Sequence, residues 1–298
     1  MTTRSSYIEN NENIISKPKP QNLPRSRAFG TDLTNSSKPD PDKKSDPVLG
    51  EYIADIFQHL HSTEEKFMPK AGYMLMQDNI NEKMRSVLID WLIEVHHKFK
   101  LVDETLFLTV NIIDRYLSKT QAVKDQLQLI GVSSMMIACK YEEIYAPEIK
   151  DFVYITDSAY TTDEVVEFEN KILRVLDFDV TVPSSFRFLQ RYCKVCEFDE
   201  VAFNFSRFVL ELSLVEYKYL KYRPSNLAAA SMYVTQKVMK TCFRALNEHT
   251  PCTDSEIRNC AKELTLTLQK AQNNLLQAVR KKFMLEKFCE VAKLPVKF

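Results

Sequence analysis

The sequence predicts an all-α protein built as two successive helical bundles, and three observations carry that prediction. Residues 84–99, MRSVLIDWLIEVHHKF, are apolar almost all the way round a helix and need to be enclosed by other helices. Only four glycines occur in 298 residues, too few for a sheet-and-turn or phosphate-cradling architecture. The small-residue run LAAASMY at 227–233 occupies the place in the second half that IGVSSMM, 130–136, occupies in the first. The length suits two units of roughly 100–200 residues each.

Within 84–99, Met84, Val87, Leu88, Trp91 and Val95 fall on one helical face, and Ile89, Leu92 and Ile93 continue the apolar arc. Ser86, Asp90, Glu94 and His97 form the only polar strip. Arg85 points into the apolar arc, where an unpaired charge is costly, so it requires an acidic partner from another helix.

The chain outside this hub reads in order. Residues 1–45 are rich in Ser, Thr, Asn, Pro and Lys without apolar periodicity, and are expected to be a disordered tail. Within it, RAFGTDLTN at 27–35 has the basic start, apolar middle and terminal Asn of an extended recognition motif. Asp46 and Pro47 open a helix to about His61, striped by Val48, Tyr52, Ile53, Ile56, Phe57 and Leu60. After the hub, Asp103 is expected to cap a helix carrying Leu106, Val110, Ile113 and Leu117, whose Asp114 is the candidate partner for Arg85.

A third helix over 124–143 contains Gly131, Ser133, Ser134 and Ala138, which permit close helix approach. Pro147 opens a short fourth helix, and Thr162 caps a fifth with Val165, Phe168, Ile172, Leu173 and Leu176 on its buried face. DFDVTVP, 177–183, joins the two units. Helices then follow at 184–194, 199–217, 224–239, a short piece at 242–247, and 254–271. A last amphipathic segment at 273–292 carries Leu276, Val279, Phe283 and Phe288, with Arg280, Lys281 and Lys282 expected on a solvated face.

Composition narrows the function. Lys plus Arg and Asp plus Glu both number 40, so charge gives no reason to expect nucleic acid or an anionic membrane as a partner. No apolar run approaches the ~20 residues of a membrane span. Seven cysteines, an odd number without framework spacing, fit a reducing cytosolic or nuclear setting. Cys193 and Cys196 have CxxC spacing, but no second pair completes a zinc site. Gly30, Gly50, Gly72 and Gly131 are too scattered for a nucleotide loop, and His96 and His97 do not make a metalloprotease pattern. Glu142 and Glu143 diverge by about 100° on a helix and cannot share a proton, so contact with a partner suits them better than acid/base chemistry. No cofactor, metal or catalytic group is expected.

MRSVLIDWLIEVH, then KYEEIYAPEI, then FVYITDSAYT, spaced along a five-helix unit, resemble the first box of the cyclin family. The resemblance covers about residues 46–290 and, through FVYITDSAYT, LKYRPSNLAAA and the tail motif, leans towards a mitotic A/B-type cyclin, B-type preferred. It implies two tandem five-helix cyclin-box bundles with flanking N- and C-terminal helices. The tail is then 1–45, the N-terminal helix and first box 46–182, and the second box and C-terminal helix 183–298.

The resemblance also implies a function. The chain would be a regulatory subunit that binds and activates a cyclin-dependent Ser/Thr kinase, controls mitotic progression, does no chemistry itself, and resides in nucleus and cytoplasm. The residues by which the family holds its first bundle are present as Arg85, Asp114, Leu129, Ala138 and Lys140. The kinase-facing residues would be Lys140, Tyr141, Glu142, Glu143 and Ile144, with Glu169, Phe178, Tyr52 and Ile56. Met84, Val87, Leu88 and Trp91 would form a docking patch for substrates or inhibitors carrying an Arg-x-Leu-like motif, with Glu94 meeting the arginine and Leu127 and Gln128 lining the groove. Val87 stands where relatives often have isoleucine, which implies a slightly roomier groove.

The tail segment resembles a destruction box read by ubiquitin-ligase machinery, through Arg27, Phe29, Leu33 and Asn35. It departs from the usual pattern, because Gly30 holds the place three residues after the arginine and Phe29 comes one early. The alternative is a DNA-binding general transcription factor of the same helical design. That reading requires a basic face, which the balanced charge does not favour.

Overall fold

The computed structural model describes residues 47–241 and 249–296, and every regular element among them is helical. The destruction-box-like segment and the short helix expected at 242–247 lie outside the described residues. Helix α1 (Pro47–Thr63) lays Ile53 and Phe57 against the body. A 3₁₀ turn and a left-handed Gly72 at φ 86° then carry the chain to a second 3₁₀ turn, Tyr73–Met76. Helix α2 (Glu82–Phe99) starts where the Asn81 side chain accepts the Met84 amide at 3.0 Å.

The first bundle is completed by α3 (Asp103–Leu117), α4 (Leu127–Glu142), α5 (Ile149–Ile155) and α6 (Thr162–Val175). The hub character of α2 is evident: Ile89, Leu92 and Ile93 are completely buried. Helix α4 approaches it so closely that a Cβ on Gly131 would lie 2.8 Å from a Leu88 methyl. Helix α6 begins with a reciprocal capping box between Thr161 and Glu164, one residue before the expected cap. It stops where Asp177 and Phe178 take left-handed φ of 55° and 57°.

In the second half, Ser184 caps α7 (Ser185–Val195), Asp199 caps α8 (Glu200–Val215), proline opens α9 (Pro224–Met239), and Thr253 caps α10 (Asp254–Lys270). The small residues of α9, Ala228 to Ala230, are completely buried, as Gly131, Ser133 and Ser134 are in α4.

Three further expectations are corrected. Asp103 does not cap α3; it is the first helical residue, and the capping is done from α4. There a Glu143 carboxylate oxygen accepts from the Val102 amide at 2.7 Å and from the Thr105 hydroxyl at 2.8 Å. The segment 273–292 is not one helix. It forms α11 (Ala278–Phe283) and two 3₁₀ turns, because the Asp90 carboxylate of α2 starts the helix at the Ala278 amide (3.0 Å) and left-handed Cys289 and Glu290 end the pattern. Lys282 is not solvated: it is 4% exposed and donates to both oxygens of buried Glu211 at 2.8 and 2.9 Å.

Candidate partner-binding surfaces

The Arg85–Asp114 pair holds the frame on which the candidate surfaces stand. Arg85 Nε and Nη2 donate to the two Asp114 oxygens at 2.6 and 2.7 Å, a bidentate pair with both residues buried. Burial opposes the guanidinium charge, but the Asp114 carboxylate outweighs it and holds the Arg85 pKa above its ordinary value. Tyr73 donates its hydroxyl to the same carboxylate at 2.8 Å, and burial followed by that negative charge pushes the Tyr73 phenol up. The remaining Arg85 nitrogen donates to the Leu214 carbonyl at 3.0 Å, at the C-terminal end of α8. One side chain therefore joins α2, α3 and the second bundle.

The first surface lies where α4 ends. Lys140 Nζ donates to both Glu169 oxygens at 2.6 and 2.8 Å, so α4 and α6 share a charge pair at the surface. Ile144 is 90% exposed, and Tyr141 and Phe178 are also exposed. Tyr141 is oriented by a hydrogen bond between its hydroxyl and that of Thr181 (2.6 Å). Burial, then the negative charges of Glu104 and Glu143, push the Glu142 carboxyl upwards, with Arg187 of α7 opposing. Helix α7 connects this region to α1, because His61 of α1 stacks on Phe188 at 4.6 Å and Arg191 lies over Phe57. On α1, Tyr52 is exposed and Ile56 half-buried. Of the two adjacent glutamates, Glu143 is committed to the start of α3 and Glu142 is the one whose charge is under stress.

The second surface runs along α2. Val87 is exposed, Met84, Trp91 and Gln128 are half-buried, Leu88 and Leu127 are buried, and Glu94 is exposed. The patch is therefore a shallow apolar strip with its leucines as floor, rather than a fully open face.

Several interactions were not legible in the sequence. Arg207 lies within 5.2–5.8 Å of the rings of Phe186, Phe203, Phe283 and Phe288 and pairs with Asp103 at 2.5 Å. With Lys282 and Glu211 this makes a buried charge network between α3, α8 and α11. Glu64, also buried, accepts from the Ser225 amide and hydroxyl at 2.9 and 2.7 Å and ties the end of α1 to the start of α9. Cys193 and Cys196 are buried, and burial pushes both thiols up, Cys196 to about 11, so neither is a ready thiolate. Among the described residues no group of His, Cys, Asp or Glu could hold a metal ion, and no helix is long and apolar enough to cross a membrane.

The chain is a pair of helical bundles joined by buried charges, with exposed apolar side chains at two surface patches. Comparison with known proteins gives it a family. The model of the cyclin N-terminal domain matches residues 55–181 and that of the cyclin C-terminal domain matches 183–297, and the chain belongs to the cyclin family. Within that family its similarity is to B-type mitotic cyclins. It is 39% identical over 250 residues to a G2/mitotic-specific cyclin-B of Hydra vulgaris, covering 83% of this chain and 69% of that protein. It is 44% identical over 246 residues to Cyclin-B2-1 of Oryza sativa subsp. japonica, covering 82% of this chain but 59% of that relative. A G2/mitotic-specific cyclin-B of Dictyostelium discoideum is 41% identical over 259 residues, covering 86% of this chain and 59% of that protein. Among solved structures, a viral cyclin from herpesvirus saimiri superposes with a TM-score of 0.66 at 20% identity, covering 72% of this chain and 97% of that one. That likeness shows the fold.

Proposed function

We propose that this chain is a regulatory subunit that binds a cyclin-dependent Ser/Thr kinase, activates it, and itself performs no chemistry. The observation that carries the reading is the Lys140–Glu169 pair at the surface with Tyr141, Ile144 and Phe178 exposed at the same helix ends. Exposed apolar side chains supply binding energy when a partner covers them, and a charge pair among them fixes orientation. Activation follows as a population shift. A rigid helical surface that binds one kinase conformer more tightly than the other stabilises that conformer by the difference in affinity. Similarity to B-type mitotic cyclins supports a role in mitotic progression. Reconstitution of the full chain with a panel of monomeric cyclin-dependent kinases tests the proposal: at least one should gain peptide phosphorylation by orders of magnitude, and a panel that shows no gain overturns it.

The α2 strip is the proposed docking site for substrates and inhibitors with an Arg-x-Leu-like motif, with Met84, Val87 and Trp91 around the leucine and Glu94 for the arginine. Burying one leucine contributes about 1.5–3 kcal/mol, which suits reversible recruitment. For the tail, turnover through the Arg27–Asn35 spacing is proposed; an unchanged lifetime at mitotic exit in Arg27→Ala with Phe29→Ala would count against it.

A further inference from the structure

Glu94, the carboxylate at the edge of the α2 strip, already has a cation beside it. Lys281 Nζ of α11 stands 3.6 Å from Glu94 Oε1. The placement follows from how α11 is held. Asp90, one turn before Glu94 on α2, accepts the Ala278 amide at 3.0 Å and so fixes where α11 begins. Three residues on, Lys281 falls level with Glu94, and its neighbour Lys282 is anchored on the other side by Glu211 at 2.8 Å. Both members of the outer pair stay in contact with water, with side chains 70% and 43% exposed, so the contact is weak and exchangeable.

We infer that Lys281 is a resident competitor for the cation of a docking motif, so that the C-terminal helix sets how tightly and how selectively the α2 strip docks its ligands. This rests on the docking reading above. An incoming arginine displaces the lysine because a guanidinium engages a carboxylate through two parallel N–H donors, whereas an ammonium offers a point charge. A lysine in the ligand gains no such advantage, so the resident pair weakens docking overall and biases it towards arginine.

Fluorescence polarisation of two synthetic peptides on the full chain tests this, one carrying Arg-x-Leu and the other the same sequence with alanine for arginine. Lys281→Met should tighten the arginine peptide by about two- to fivefold, the range expected for releasing one exposed ion pair, and leave the alanine peptide unchanged. In a Glu94→Gln background the effect of Lys281→Met should vanish. An arginine peptide that binds Lys281→Met no more tightly, while still losing affinity on Glu94→Gln and Val87→Arg, overturns the competition and leaves docking standing. An arginine peptide that fails to bind the unaltered chain, or binds the Val87→Arg variant equally well, overturns both.

Discussion

Arg85 reaches both the Asp114 carboxylate and the Leu214 carbonyl, so a single guanidinium ties the hub helix to its neighbour and to the end of a helix in the second bundle. Breaking the pair from one side leaves a buried charge unpaired. Arg85→Ala is expected to cost about 3–5 kcal/mol in urea denaturation, and Asp114→Ala a comparable amount. The joint Arg85→Met, Asp114→Leu variant should recover part of that loss, since no charge stays buried unpaired; the rest of the loss remains because the Tyr73 hydroxyl and the Leu214 carbonyl lose their partners. A double variant no better than the singles would show that the pair's geometry, rather than charge compensation, holds the bundles.

Gly131 makes the close approach of α4 to α2 possible, and the Leu88 side chain is what an added Cβ would strike. Gly131→Ala gains helix propensity but overpacks the contact, for a net loss of about 1–2 kcal/mol. Because Leu88 floors the proposed docking strip, peptide docking should weaken alongside. Thermal denaturation and peptide affinity measured on one preparation check both effects.

Much of this architecture is legible one helix at a time. The apolar arc of α2 announces its enclosure, Arg85 within that arc demands a carboxylate, and Ser184 and Asp199 mark helix starts that the structure retains. What is not legible depends on distant partners. Glu143 capping α3 pairs residues 38 positions apart, and Glu64 with Ser225 spans 161 positions. Periodicity reports which face of a helix is apolar, but not which far residue meets a charge on it. Lys282 reads as one of three solvated cations for that reason. Glu142 and Glu143 likewise read alike, as a pair suited to partner contact, whereas Glu143 bonds the start of α3 and Glu142 carries the strained charge.

His96 is buried and bonded through Nε2 to the Val102 carbonyl at 2.8 Å, and burial, then the positive charge of Lys282, push its pKa down to about 4. The ordinary histidine value is about 6.5. The folded state therefore refuses a proton that the unfolded state accepts, and stability complete above pH 6.5 is lost progressively as pH falls towards 4. Chemical denaturation across that window should show a fall of roughly 1–3 kcal/mol that His96→Gln removes. An equally steep fall in the variant would place the acid sensitivity elsewhere.

Glu142 carries the opposite sign. Burial and the neighbouring carboxylates push its pKa up, so its protonated form is favoured in the fold and the cost of its charge appears as pH rises through the folded-state value. At pH 7, Glu142→Gln should raise the unfolding free energy, and with it the melting temperature, by no more than about 1 kcal/mol of stability once solvent screening is allowed for. The gain should shrink below the ordinary glutamate value of about 4.3. Differential scanning calorimetry at pH 7 and pH 4 measures both.

The central claim is that the helix-end surface of Lys140, Glu169 and their exposed neighbours holds a kinase, and the dissociation constant of the reconstituted pair addresses it most directly. Lys140→Ala together with Glu169→Ala should weaken the complex by about 100-fold or more, the loss expected when an interface hot spot is removed, while the free chain's unfolding free energy stays within about 1 kcal/mol of the unaltered protein. Retention of affinity within a factor of about two, at unchanged stability, would contradict it.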